Sequence, residues 1–259
     1  MKKLFSTLSI IFLLSPLSAL ALNFDGVDDY VKMPNGGNLN SGPFTMSAWV
    51  YVTGENAANI MYIFANMNAA DACCGPILFS SSNITGGNGL RMNVGLGANN
   101  GPFRQGGRVA DGAIDSSFVK NRWEHIVGTW DGTLNYTGIH LYKNGREITY
   151  YDTNSLDGSG ASAATGSWII GGRNSDNLRN LVGRINEVRI YNRALMPNEV
   201  RMLYRGFSPR SGLIGYWPLI GNTSGTFEPD LSGYRNHGTR TGGPIRAALH
   251  PFTRLMKFR

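Results

Sequence analysis

GRINEVRIYNRALMPNEVRMLY, residues Gly183–Tyr204, is the stretch whose reading decides the fold. Ile185, Val188 and Ile190 are its apolar positions, with Arg184, Glu187 and Arg189 between or beside them. Strict alternation would put apolar residues two apart, and the first step here is three. One extra residue has entered at Asn186–Glu187, which predicts a β-bulge in a long strand buried on one face. The strand runs out at Asn192–Arg193. Pro197 stands where a first helical residue stands, because that position needs no N–H donor and proline's φ is already helical. Val200, Leu203 and Tyr204 follow at helical spacing, so a short helix closes the segment.

Working outward, strand signals dominate. Phe44–Val52, FTMSAWVYV, alternates cleanly, with Phe44, Met46, Ala48, Val50 and Val52 on one face and Thr45, Ser47, Trp49 and Tyr51 on the other. Large residues on both faces predict a central strand covered on both sides or lining a groove. Tyr62–Asn66, Ile77–Ser80, Leu90–Leu96, Trp123–Asp131 and Trp168–Gly171 are further candidates. Ile139–Lys143 and Glu147–Tyr151 flank Asn144-Gly145, a hairpin signal because both turn positions need positive φ. Between Gly95 and Ser117 lies a long loop rich in Gly, Asn, Arg and Asp. No helical periodicity precedes Pro197, and many short strands between turns predict a β-sandwich.

The two ends of the chain differ in character. Lys2 and Lys3 precede the apolar run Leu8–Leu14, and Ala19-Leu20-Ala21 is a small-x-small site. This is the pattern of a secretory signal peptide, residues 1–21, cut after Ala21. The run is too short to span a bilayer, which takes roughly 20 apolar residues. The expected location is therefore secreted, extracellular or periplasmic. Net charge is +7, and residues 201–259 alone carry eight Arg and one Lys against Glu228 and Asp230. A basic region of this kind can bind nucleic acid, an anionic polymer or an acidic surface, but its arginines are scattered, and solvated or ion-paired arginines are the better reading; the secretory context argues further against nucleic acid. Cys73 and Cys74 are adjacent and offer no metal-binding spacing; a bond between them would staple no long loop.

Phe24-Asp25-Gly26-Val27-Asp28-Asp29-Tyr30-Val31, FTMSAWV, WEHIVGTWDG, LYKNG and the Gly183–Tyr204 stretch stand in order. Together they resemble the LamG-like jelly-roll domains of the concanavalin A-like lectin/glucanase superfamily. The resemblance covers most of residues 22–204 and implies an all-β, two-sheet antiparallel jelly roll with one short C-terminal helix. One departure is Met196, where the family usually has a helix-capping residue; it should cost the helix start roughly 1 kcal/mol. Leu213–Leu219, LIGYWPL, and the EPDLSGYRNHGT that follows resemble a stretch that in many members precedes the FDGxDDY motif. The expected organisation is a domain over 22–243, with 205–243 completing the sheet, and a basic arm over 244–259. A truncated second repeat is the alternative.

Family glucanases carry an E-x-D-x-x-E strand pattern that aims carboxylates into one cleft, and this chain has none. The histidines His125, His140, His237 and His250 share no ligand spacing, and His125 reads as a packed structural histidine. No catalytic residue is assigned and no cofactor is required. The fold resemblance points to one structural calcium, with Asp25, Asp28 and Asp29 in one turn and Glu187 brought near them if the first and last strands pair. Asx-turns for Asp25 and Asp28 and an arginine partner for Glu187 are the reading favoured over calcium, because turn acids do this commonly. For carbohydrate, Trp49 and Tyr51 offer ring faces, and Asn99, Arg104, Arg173 and Asn174 offer polar groups on loops. The sequence thus predicts a secreted, non-catalytic module that binds carbohydrate or another surface polymer. A structural or adhesive part of a cell-surface or virion assembly, self-associating through the C-terminal arm, is the runner-up, and a glycoside hydrolase-like enzyme the third.

Overall fold

The computed structural model describes residues 19–34, 39, 42–58, 60–66, 76–81, 89–95, 103–105, 118–150, 167–173, 179–220, 225–243 and 245–250. Their strands, numbered along the chain, form two antiparallel eight-stranded sheets. The first runs β10 (Arg146–Glu147), β9 (Ile139–Lys143), β8 (Trp123–Trp130), β3 (Phe44–Val52), β12 (Val182–Tyr191), β1 (Ala19–Asp25) and β16 (Ile245–His250), and β13 (Leu213–Trp217) also pairs with β12. The second runs β14 (Phe227–Glu228), β15 (Gly238–Thr241), β2 (Tyr30–Met33), β11 (Trp168–Ile170), β4 (Ile60–Asn66), β5 (Ile77–Ser81), β6 (Gly89–Asn93) and β7 (Phe103–Gln105). One α-helix, α1 (Pro197–Tyr204), lies among the described residues.

The bulge expected in β12 is there. Asn186 stands opposite Trp49 and Arg189 opposite Ser47, so Glu187 and Val188 share Ala48. Glu187 takes the left-handed conformation, φ 57°. The extra residue shifts the pleat by one. Ile185, Val188 and Ile190 all stay in the core, while Asn186, Arg189 and Tyr191 face outward. The bulge also marks a change of neighbour, since β1 pairs with Val182–Ile185 and β13 with Val188–Tyr191 along one side of β12.

The core lies between the sheets. Phe44, Met46, Ala48, Val50 and Val52 of β3 meet Met33, Ile63, Leu78, Met92 and Trp168 from the other sheet, all buried. Trp217 closes it at one edge. Its ring meets Trp168 at 88° with centroids 5.8 Å apart, and its Nε1 donates to the Asn236 carbonyl. Gly215 has no side chain because a Cβ there would stand 2.3 Å from the Trp217 ring. Residues beyond the helix are thus part of both sheets, β13 in the first and β14–β15 in the second. Two placements differ from the segment limits expected from sequence. Ile245–His250, within the expected arm, forms an edge strand on β1. Ala19 and Ala21, upstream of the expected cleavage point, pair with His250 and Ala247.

The helix start is secured without a capping side chain. Met196 has no side-chain oxygen, and its carbonyl accepts from Glu199 and Val200 N–H. The Glu199 carboxylate reaches back to the Met196 N–H at 2.9 Å and is gripped at both oxygens by Arg193, each at 2.7 Å. This is half of a capping box. Thr45 Oγ1 ties down the approach, donating to the Arg193 carbonyl and accepting from Leu195 N–H. At the β9–β10 turn Asn144 and Gly145 take φ 53° and 76°, as the Asn-Gly signal requires.

Two stability outcomes follow from this packing. Trp217→Ala should cost about 3–5 kcal/mol in chemical denaturation, because it opens a large cavity and strands the Asn236 carbonyl. Met196→Ser should gain about 0.5–1 kcal/mol by adding the missing cap oxygen; no gain would mean that Glu199 and Arg193 already satisfy the helix start.

Candidate functional site

The outward face of the first sheet is laid out in cross-strand rows. Thr129, Thr45 and Tyr191 form one, and Val127, Ser47 and Arg189 the next. His125, Trp49 and Asn186 form a third, and Trp123, Tyr51, Arg184 and Asn23 a fourth that crosses β8, β3, β12 and β1. Helix α1 covers the first two rows. Val200 and Leu203 pack with Val127, Tyr142, Tyr191 and Leu195 in a small core separate from the main one.

Trp49 and Tyr51 share this face but belong to different clusters. Trp49 stacks on Tyr204 from the helix at 5.6 Å and meets His125 at 5.2 Å, so one side of its ring seats the helix. Tyr51 contacts Trp123 at 5.4 Å and lies under the Arg184 guanidinium at 5.1 Å. Trp123 is buried, while Tyr51, Arg184 and Asn23 are half-buried, so the part of the fourth row that reaches solvent runs from Tyr51 to Asn23. It combines ring surface with guanidinium and amide donors. Trp123, Arg184 and Asn23 were missed in the sequence, although the outward-facing alternation of Trp123–Asp131 was signal enough for Trp123.

Beyond the helix, Ser47 Oγ lies 3.0 Å from His125 Nε2. A Ser–His contact is where a nucleophilic site begins, but both residues are buried beneath Trp49 and Tyr204. His125 Nδ1 has no hydrogen-bond partner among the described residues, so no third group orients the ring. Burial pushes the imidazole down to about 3, and the Arg189 charge adds to the shift. The pair is structural.

The acidic turn after β1 does gather its three carboxylates. Oxygens of Asp25, Asp28 and Asp29 lie within 4.8 Å of one another. Gly26 makes the turn possible, with φ 84° and a Cβ position 2.3 Å from Val182. Asp25 Oδ1 accepts from Val27 N–H, and Asp29 Oδ2 accepts from Asp25 N–H. Burial pushes Asp29 up to about 6, with the charges of Asp25 and Asp28 adding to it. Three crowded carboxylates, with oxygens left over from the turn, fit part of the shell of a hard cation.

Glu187 does not join them, which corrects the expectation drawn from strand pairing. β1 does pair with β12, but Asp25 falls opposite Val182, five residues along the strand from Glu187. That is on the order of 15 Å at the strand rise. The Glu187 carboxylate instead pairs with buried Arg189 and accepts from Tyr216 Oη at 3.1 Å. The Arg189 guanidinium in turn lies over the Tyr216 ring, 4.2 Å from its centroid.

Of the other polar candidates, Arg173 is half-buried in the loop after β11. Arg104 lies on β7 opposite Met92, and its side chain falls outside the described residues. Asn99, Asn174, Cys73 and Cys74 also lie outside them.

The Laminin_G_3 model, described as the concanavalin A-like lectin/glucanases superfamily, matches residues 25–201, and the chain belongs to this family. Among solved structures, a Bacteroides ovatus protein proposed to bind carbohydrate aligns at 23% identity with a TM-score of 0.62, over 90% of this chain. The chain spans 60% of that protein's length. The heptameric SAP-like pentraxin of Limulus polyphemus aligns over 73% of this chain and 83% of its own, at 14% identity and a TM-score of 0.48. Domain 4 of an extracellular arabinanase from Geobacillus stearothermophilus, solved with arabinotriose, aligns over 71% of this chain and 76% of its own, at 18% identity and a TM-score of 0.46. These likenesses are of fold. No curated protein sequence matches. Among the described residues no helix is long and apolar enough to cross a membrane.

The pH response of His125 is measurable. The unfolded chain takes up a proton near pH 6.5 that the folded chain refuses down to about 3, so the folded state loses stability as pH falls through that window. His125→Gln lacks the group. Between pH 6 and pH 4 its urea-unfolding free energy should fall less than that of the unsubstituted chain, by on the order of 1 kcal/mol per pH unit. Parallel pH profiles would mean that the imidazole is charged in the folded state.

Proposed function

We propose that this chain is a secreted, non-catalytic binding module for carbohydrate, and that the row Trp123–Tyr51–Arg184–Asn23 is its contact surface. The observation that carries the reading is that row itself. A half-buried tyrosine ring with a guanidinium over it and an amide beside it, on paired strands, offers the aromatic and polar groups that sugar recognition uses. Membership of a superfamily of lectins and glucanases is consistent with it, as is the proposed sugar binding of the Bacteroides ovatus relative in fold.

The non-catalytic part of the proposal rests on the acids. Buried Glu124 is paired with Lys143 and with exposed Arg122, and Glu187 is held by Arg189. Neither glutamate therefore offers a free carboxylate to the ring-bearing row. A glycan array is the direct test. Binding to at least one neutral or charged glycan is expected, with Tyr51→Ala weakening it tenfold or more at an unchanged fold. An array without a hit at high protein concentration rejects the reading, and release of reducing sugar from a polysaccharide panel rejects its non-catalytic part.

Calcium belongs to the same proposal. Asp25, Asp28 and Asp29 would hold it; Asp25 ends β1 two residues beyond Asn23 and its row, and Asp28 and Asp29 follow in the turn. A bound cation would supply a hard Lewis-acidic centre for sugar hydroxyls. The carboxylates must be ionised to bind it, and Asp29 gives up its proton only near pH 6. Millimolar calcium should therefore raise Tm at pH 7.5 and fail to do so at pH 5, and Asp29→Asn should abolish the gain. An unchanged Tm at pH 7.5 after chelation removes calcium from the account.

A further inference from the structure

The charge exposed between residues 196 and 243 is one-sided. The described acids of this stretch are Glu199, Glu228 and Asp230. Glu199 is occupied by Arg193 and the Met196 N–H, while Glu228 and Asp230 are buried. Arg201, Arg205 and Arg235 stand exposed. Arg201 on α1 and Arg205, the residue that caps its C-terminus, are one turn apart, a like-charge spacing that mildly destabilises a helix. No exposed acid among the described residues of this stretch offsets them.

At two places in this stretch an exposed tyrosine directly precedes an exposed arginine in sequence. Tyr204 is 41% exposed and precedes Arg205; Tyr234 is 63% exposed and precedes Arg235. The backbone at both places is held by hydrogen bonds. The helix ends with Gly206 at φ 85°, Gly206 N–H on the Leu203 carbonyl and Phe207 N–H on the Met202 carbonyl, which fixes Arg205 and its neighbours. Tyr204 is further held by its stack on Trp49. The other pair sits on a loop built around Asp230, whose carboxylate accepts from Tyr216 N–H, Ser232 N–H, Ser232 Oγ and Asn236 N–H. Both places are anchored on β13. Leu213 packs into the core beneath α1, and the Ile214 carbonyl accepts from Asn236 Nδ2 at 3.0 Å.

We propose that the surface from α1 across β13 to the 230–236 loop binds an acidic polysaccharide, with Arg201, Arg205 and Arg235 pairing its carboxylates and Tyr204 and Tyr234 stacking on its sugar faces. The proposal rests on the carbohydrate reading given above and places a second surface outside the Tyr51 row. The chemistry favours a uronate polymer. A guanidinium offers a forked pair of donors that matches a carboxylate. A tyrosine ring offers a flat apolar face for a pyranose and a hydroxyl at its rim. A tyrosine–arginine pair repeated on two supports matches a chain that repeats ring and charge. The hydrogen-bonded backbone at both supports lowers the entropy lost when that chain docks, leaving the arginine side chains to be ordered.

The test compares polygalacturonate with its fully methyl-esterified form, which keeps the rings and removes the charge. It uses the full chain and the variant Arg201→Ser/Arg205→Ser/Arg235→Ser. Vesicles of 70% neutral and 30% anionic phospholipid are a second arm, and the glycan array with Tyr51→Ala is a third. The expected result is binding to polygalacturonate at least tenfold tighter than to the ester, weakening as salt rises from 50 to 300 mM. The triple variant should lose at least tenfold at an unchanged Tm, and Tyr234→Ala should lose binding to both forms. Equal binding of both polymers, or a triple variant that binds as well as the unsubstituted chain, overturns the proposal. Binding to the vesicles and not to polygalacturonate overturns it in favour of a lipid surface. If polygalacturonate fails while the array still gives Tyr51-dependent hits, this proposal falls and the carbohydrate reading stands. An array without hits removes both.

Discussion

The bulge in β12 is the constraint on which the rest of the sandwich depends. A strand without it would send Ile185, Glu187, Arg189 and Tyr191 to one face, putting a carboxylate and a guanidinium into the main core. The inserted residue at Glu187 re-phases the pleat, so Val188 and Ile190 point inward and Arg189 and Tyr191 outward beneath the helix. The cost is a non-glycine residue at φ 57° and a guanidinium buried on the outward face. The same residue offsets the second cost, since the Glu187 carboxylate is the ion partner of Arg189 and Tyr216 adds its hydroxyl and ring. The bulge also falls where β1 stops pairing with β12 and β13 begins. Glu187 N–H, turned away from β3, finds the Pro218 carbonyl just past β13. Two strands from opposite ends of the chain thus share one side of β12, and the irregularity is the joint between them.

That joint explains what could be read from the sequence. The bulge itself was legible because apolar spacing reports which face each residue takes, and a step of three within a strand requires an inserted residue. Phe44–Val52 and the Asn144-Gly145 hairpin were legible for the same local reasons. What could not be read depended on register. That the first and last family strands pair was foreseeable; that Asp25 lands opposite Val182 instead of Glu187 was not, because nothing local sets the offset. The acidic turn was therefore found and its fourth member was not. Trp49 and Tyr51 were correctly placed on one face. Which of them the helix would cover depended on how α1 sits across the sheet, and that is decided by Tyr204 and Leu203 from a distant segment.

The C-terminal strands were the least legible. β14, β15 and β16 are short, and β14 and β15 lie in Gly-, Thr- and Asn-rich sequence with no alternation to report a buried face. Side-chain hydrogen bonds anchor this part of the chain. Asp230 accepts four hydrogen bonds in a loop that would otherwise stand clear of β13, and Trp217 and Asn236 tie that loop to the core. Polar staples of this kind leave no periodic trace, so a Gly-rich stretch that reads as a loop can be as rigid as a strand. The same substitution of one device for another occurs at the helix start. The side-chain oxygen missing from Met196 is replaced from within the helix by Glu199, which a bidentate arginine holds in place.

These staples also account for the surface charge. An acid that anchors a loop or caps a helix has its oxygens occupied and its charge buried or paired, so it no longer offsets a nearby arginine in solvent. Glu199, Glu228 and Asp230 are all used in this way. Among the described residues from 196 to 243, the basic balance is therefore larger at the exposed surface than a count of residues implies. A fold that commits its acids to architecture and leaves its arginines outside holds a positive field at fixed positions. Such a field discriminates among ligands by their charge before any ring is stacked or any hydroxyl is bonded.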